Sequence, residues 1–330
     1  MLQRLPERLP PCDPRTMNHP ATQSRTASIA AFILLALIWG STWLVIKDQI
    51  GAMPPSWSVT WRFVLAAPAM FALAALRREK LLIAPEGMRL AVVIGILQFS
   101  TNFQLVYASE NYVTSGLVAV IFALAMVPNA VLGRIFVGAP LSRRFLAGSA
   151  VALAGIAMLL LHEYRIAMLG GGVLLGIAMA SCAVLSVSVA NVTQASQIAR
   201  RQPLVPLIAW SMLWGAVANA LIALTVSGPP VIDTRLTSLA GVAYLAIAGS
   251  VITFPLYFTL IRDWGPGKAA YNGVAVPVVA MALSTLFEGY SWSLLAASGA
   301  ALAMLGLLIA LSGGSSQSAS SAASPSRKPG

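Results

Sequence analysis

An arginine inside an apolar stretch is the first feature of this sequence that demands a chemical explanation. Arg62 falls about one and a half turns into the segment 57–76, beside Trp61, Phe63 and Val64. A guanidinium facing lipid is costly, so it must face protein or a wet cavity and find a partner there. Two readings are open. Arg62 forms a structural ion pair with Glu110 or Asp48, or it clamps a substrate carboxylate or other anion through its bidentate geometry. The two combine into one switch if the acid lets go when the anion arrives.

A second set lies in "IWGSTWLVIKD", residues 38–48, where Trp39, Trp43 and Lys47 recur at intervals of four and so are expected on one helix face. Trp43 suits an interfacial aromatic belt, and Lys47 at the outer end can snorkel. Trp39 is too deep for the belt, about 10 Å from that end at about 1.5 Å per residue. The alternative is a stripe that lines a cavity, with tryptophan stacking on substrate or holding Lys47 by a cation–π contact. Gly40 beside it permits close helix approach.

Amides form a third set. Gln98 and Asn102 are four apart, with Thr101 and Gln104 on flanking faces and Tyr107 further along. Such a span lines a wet cavity or bridges helices by hydrogen bonds. Tyr257 and Asn272 are the comparable residues of the second half. Asn102, Tyr107, Tyr257 and Asn272 are therefore candidate ligands, whereas Ser250 and Thr253 read as helix glue and Ser181 and Ser188 as packing. Pro128 and Pro277 each remove one backbone hydrogen bond mid-span and serve as gates or as static bends. The histidines His19 and His162 and the cysteines Cys12 and Cys182 have no metal-ligand spacing, and no phosphate-binding GxxxxGK[ST] loop occurs, so neither a metal nor a cofactor is expected.

The elements that must position these residues follow from composition. Of 330 residues, 58% are hydrophobic and 9% charged, with mean hydropathy +0.81. That is too little charge for a water-facing surface and identifies an all-α integral membrane protein. The net charge of +11 does not signal nucleic acid, because the basic residues sit in gaps between apolar segments rather than on one face.

Ten segments are long enough to span: 28–46, 57–76, 89–108, 113–135, 145–161, 170–192, 205–226, 239–261, 268–287 and 292–312. With the N-terminus inside, every basic residue lies on the cytoplasmic side except Lys47, Arg62, Arg165 and Arg235, which places both termini in the cytoplasm. Residues 1–27 and 313–330 read as disordered tails. Met17 is an alternative start to Met1. An offset of 149 residues superimposes Gly116 on Gly265, Pro128 on Pro277 and Trp61 on Trp210. The predicted units are therefore 28–163 and 168–312, each of five helices. An odd number of spans inverts the second unit, and inverted repeats enclose a substrate site near the bilayer midplane.

"WGSTW" in the first span, "WRFVLAA" (61–67), "NFQLVYASENYVTSGLVAVIFALAMVP" (102–128) and "GPGKAAYNGVAVPVVAMALSTLFEGYSW" (265–292), in this order, resemble the EamA family of the drug/metabolite transporter superfamily over roughly 30–312. The resemblance implies ten helices, a central cavity between two repeats, a bacterial inner-membrane location and secondary transport of small metabolites, often export. The family's Glu after its fourth and ninth helices survives here as Glu288 but is Ala139 in the first half. It reads as a helix-turn element in preference to a proton carrier. No acid lies deep in the membrane, so Glu110 and Glu288 are where ion coupling would be sought. The expected partners are a small-molecule substrate and the lipid bilayer, not nucleic acid, and a homodimer stays open. An amino acid or related carboxylate is the leading substrate, since Arg62 and Lys47 suit a carboxylate and the aromatic residues an apolar side chain. The rival readings are an intramembrane enzyme, which would need acids or histidines at depth, and a membrane sensor or scaffold.

Overall fold

The computed structural model describes residues 25–113, 115–166, 172–287 and 292–312, and among these it is helical with no strand. Glu288, residues 1–24 and residues 313–330 lie outside the described residues. Helix-only architecture follows from the solvent: in lipid every backbone N–H and C=O must be satisfied within the segment.

The helices are α1 (Arg25–Ile50), α2 (Pro55–Leu76), α3 (Pro85–Ile94), α4 (Asn102–Ser109), α5 (Ser115–Ala123), α6 (Met126–Val137), α7 (Arg143–Ile166), α8 (Val173–Ala195), α9 (Gln197–Arg201), α10 (Leu204–Ser227), α11 (Leu236–Ala246), α12 (Thr253–Trp264), α13 (Pro266–Ala269), α14 (Asn272–Phe287) and α15 (Leu294–Leu311). A π turn at Gly95–Thr101 joins α3 to α4, and a second at Ile247–Ile252 joins α11 to α12. Pro55, Pro85 and Pro266 open their helices at the first position, where a missing N–H costs nothing.

Nine of the ten expected spans appear among the described residues as helices apolar and long enough to cross a bilayer. The segment 268–287 differs: it is divided between the short α13 and a 16-residue α14. The fourth expected span is also divided, between α5 and α6. Pro128 accounts for that break. It has no N–H to give to Leu124 O, so Val127 N–H takes that carbonyl at 3.0 Å in a tighter turn before Asn129 N–H resumes the α pattern on Ala125 O. Pro277 lies within α14, which continues on both sides of it.

The first half packs extensively on the second. α7 lies against α15 and α2 against α10, while α1 and α5 both pack on α14. Gly148, Ala152 and Gly155 of α7 face Gly299, Ala303 and Gly306 of α15. A Cβ on Gly148 would come 2.6 Å from Gly306 O, and one on Gly155 2.6 Å from Gly299 O, so these backbones meet only because both partners lack side chains. Two reciprocal ties fix the halves: Trp61 Nε1 donates to Val231 O and Trp210 Nε1 to Leu81 O, both at 2.8 Å. Outside the spans, the Arg235 backbone N–H donates to Asp233 Oδ1 at 3.1 Å and its Nε to Oδ2 at 2.7 Å. The backbone bond first, and the guanidinium with it, holds the Asp233 carboxyl below the usual carboxylate range.

Candidate functional site: a central aromatic cavity

Between the two halves lies a cavity of about 140 Å³. From the first half Trp39, Trp43, Arg62, Asn102, Phe103 and Phe122 line it; from the second come Asn191, Phe254, Tyr257 and Gly273. The walls are mostly apolar with a few convergent polar groups, the usual make-up of a small-molecule site.

Arg62 is 2% exposed. Its Nε donates to Ser250 Oγ at 3.0 Å and its Nη2 to Gly249 O at 2.9 Å, while its Cζ sits 4.5 Å from the centroid of the Phe103 ring. These partners are neutral. Among the described residues no acid makes an ion pair with Arg62, and Asp48 is exposed at the end of α1. The second π turn presents them. There Thr253 N–H turns to Ser250 O instead of Gly249 O, which opens the Gly249 carbonyl to side chains, and Trp39 Nε1 also donates to it at 3.4 Å. Ser250, read as helix glue, donates to Leu245 O at 2.9 Å and accepts from Arg62.

Trp39 lines the cavity and packs edge-on against Tyr257, with ring centroids 5.0 Å apart. Gly40 lets α1 approach α14 as the sequence suggested: a Cβ there would lie 2.6 Å from Val279 Cγ1. The α1 stripe continues through Thr42, Trp43 and Ile46 but not through Lys47, which is exposed and outside the lining. The reason is helix geometry. At about 100° per residue, Ile46 returns to within about 20° of Trp39, and Lys47 is turned about 80° away.

Asn102 lines the cavity, with Nδ2 donating to Gln98 O at 3.3 Å. Tyr257 lines it too and accepts from Asn191 Nδ2 at 3.1 Å. Tyr107 and Asn272 are fully buried but outside the lining. Asn272 donates to Phe32 O at 2.8 Å and so ties α14 to α1. Glu110 caps the end of α4, and Pro128 and Pro277 are likewise off the lining. Ser188 packs as read, accepting from Asn129 Nδ2 at 3.1 Å. Sequence reasoning missed Asn191, Phe103 and Phe254. Asn191 carried the signal used for Asn102, an amide in an apolar span; the phenylalanines carried none, because aromatic residues are ordinary core.

The sequence model of one family, described as the EamA-like transporter family, matches the chain twice, over residues 26–161 and 174–312. The chain is 31% identical over 268 residues to "Uncharacterized inner membrane transporter YedA" of Escherichia coli K12, covering 80% of this chain and 83% of that protein. It is 26% identical to "Protein PagO" of Salmonella typhimurium over 79% of this chain and 85% of PagO. It is 25% identical to "Probable amino-acid metabolite efflux pump" of Escherichia coli K12 over 84% of this chain and 92% of the pump. A solved crystal structure shares the fold at a TM-score of 0.71 and 19% identity, covering 87% of this chain and 97% of that one.

Proposed function

This chain belongs to the EamA-like transporter family, and from that premise we propose that it is a secondary transporter exporting a small polar or amphipathic metabolite, an amino acid or related carboxylate, by alternating access. The supporting observation is the cavity shared by the two matched halves, with a buried arginine in its wall that donates to Ser250 Oγ and Gly249 O and lies over the Phe103 ring. The planar guanidinium fork matches a bidentate anionic group. The aromatic walls suit an apolar body on the same molecule. Both termini are cytoplasmic in this reading. The backbone break at Pro128 and the interrupted segment that carries Pro277 are where the halves bend as access alternates.

The test is a metabolite-release panel on matched cells carrying the parent chain, Arg62→Lys or an empty vector. Carboxylated metabolites are expected to accumulate outside faster with the parent than with either control, because a lysine cannot reproduce the two-atom grip on Gly249 O and Ser250 Oγ and still present a fork to an anion. If neutral or cationic solutes leave instead, equally well with both proteins, Arg62 is a scaffold and the anion role falls. If no solute leaves faster than from empty-vector cells, export itself is overturned.

A further inference from the structure

Five of the described residues have a positive φ. Gly138, Gly172, Gly228 and Gly265 are four of them, and the fifth is Arg78, at φ +55°. Its backbone bonds explain the conformation. Arg78 N–H donates to Ala75 O at 2.9 Å and Glu79 N–H to Ala74 O at 3.0 Å, which closes the last turn of α2 in the pattern that ordinarily ends on glycine. A side chain at that position carries a backbone cost that glycine does not. The helix dipole gives no reason to bear it, because Arg77, at φ −78°, already supplies a cation to the end of α2.

The surroundings supply a reason. Arg77, Arg78 and Lys80 are exposed, and among the described residues none of them forms an ion pair. Arg89 of α3 is exposed as well. Glu79 is half-buried and Glu86 lies in the first turn of α3, so cations outnumber acids four to two over residues 77–89. Leu76 and Leu82 flank the charged run and are 82% and 83% exposed. The run is anchored: Trp210 Nε1 of α10 donates to Leu81 O at 2.8 Å, and its ring packs edge-on against Phe71 of α2 with centroids 5.2 Å apart. A tryptophan with one apolar and one polar neighbour suits the membrane–water interface. Cations on a fixed backbone, with an apolar side chain on either side, match a phosphate that carries acyl chains. A free phosphate has no use for the leucines.

We propose that the end of α2 binds an anionic phospholipid, with the phosphate on Arg77 and Arg78, Lys80 beside them, and the acyl chains along Leu76 and Leu82. Arg78 keeps a glycine conformation because the site uses its guanidinium. This site is separate from the central cavity and does not depend on what the protein transports.

The full chain, purified in a neutral detergent, would be titrated with phosphatidylglycerol or with phosphatidylcholine of the same acyl chains. Bound lipid is read by native mass spectrometry and stability by melting temperature. Phosphatidylglycerol is expected to bind and to raise the melting temperature, and phosphatidylcholine to do neither. Arg78→Gly without lipid should melt at or above the parent, since it removes the backbone cost, yet bind phosphatidylglycerol more weakly. Adding Arg77→Ala should bring the loss of affinity to roughly 10-fold or more. The control is Arg143→Ala with Arg144→Ala, which removes two exposed charges from the same side, two spans further along. If the control loses as much affinity, the attraction is diffuse charge and the site is overturned. It is overturned equally if phosphatidylcholine binds as well, or if Arg78→Gly melts below the parent without lipid. Displacement of the lipid by an equal concentration of soluble glycerol phosphate would overturn the role of the leucines and leave a plain phosphate site in its place.

Discussion

Arg62 owes its position to a residue with no side chain. A Cβ on Gly249 would lie 3.3 Å from Arg62 Nη2 and 3.1 Å from Thr42 Cγ2, closer than ordinary packing allows. Gly249→Ala should therefore displace the guanidinium by a few tenths of an ångström without unfolding the bundle. The expected result is a several-fold rise in the half-saturating substrate concentration, with a melting temperature close to that of the parent. A melting temperature that falls along with activity would point to packing instead. At this scale the sequence was informative wherever a residue was anomalous in its surroundings, as Arg62, Trp39, Asn102 and Tyr257 were. It could not separate an amide in the cavity wall from one that only ties two helices: Asn102 lines the cavity, and Asn272, off the lining, is tied to Phe32 O. Lys47 shows a different limit. Intervals of four look like one face over two turns, yet the drift of a 3.6-residue helix had already carried Lys47 off it.

Among the elements, the two π turns do what straight helices could not. The first presents Leu97 O to Ser186 Oγ at 2.9 Å and Phe99 O to Asn219 Nδ2 at 2.9 Å; the second presents Gly249 O to Arg62. Each turns a backbone carbonyl into a cross-helix acceptor where lipid offers none. No residue pattern in 95–101 or 247–252 announces this widening, so it was invisible in the sequence. The α7–α15 contact is the opposite case, written in small residues. Gly306→Val would drive a branched side chain into the backbone of Gly148 and Ala152. A loss of stability on the order of 3 kcal/mol is expected, read as a drop in melting temperature of the purified protein. Gly138→Ala would serve as the control, since a Cβ there meets nothing within 4 Å, although its positive φ carries a small cost of its own.

For the molecule as a whole, the distribution of basic residues makes a claim about direction that can be read in intact cells. In a background with Cys12→Ser and Cys182→Ser, a membrane-impermeant maleimide should label Lys47→Cys from outside and Arg201→Cys only after lysis, both positions being exposed. The reverse pattern would invert the orientation and turn the proposed export into import.

By itself the sequence determined the class of the protein and the family to which it belongs. Long apolar runs have only one way to satisfy their backbone in lipid, and the order of a few motifs over nearly the whole chain is hard to reach by chance. It also marked out Arg62, because a buried charge is expensive enough to need a reason. Only the tertiary structure decided what that reason was. The partners of Arg62 lie nearly 190 residues away, and they are neutral oxygens exposed by a change of helix pitch rather than the acids nearest the same membrane face. Nor could spacing along one helix show that amides from two different halves, Asn102 and Asn191, line one cavity, since that depends on how the halves are packed.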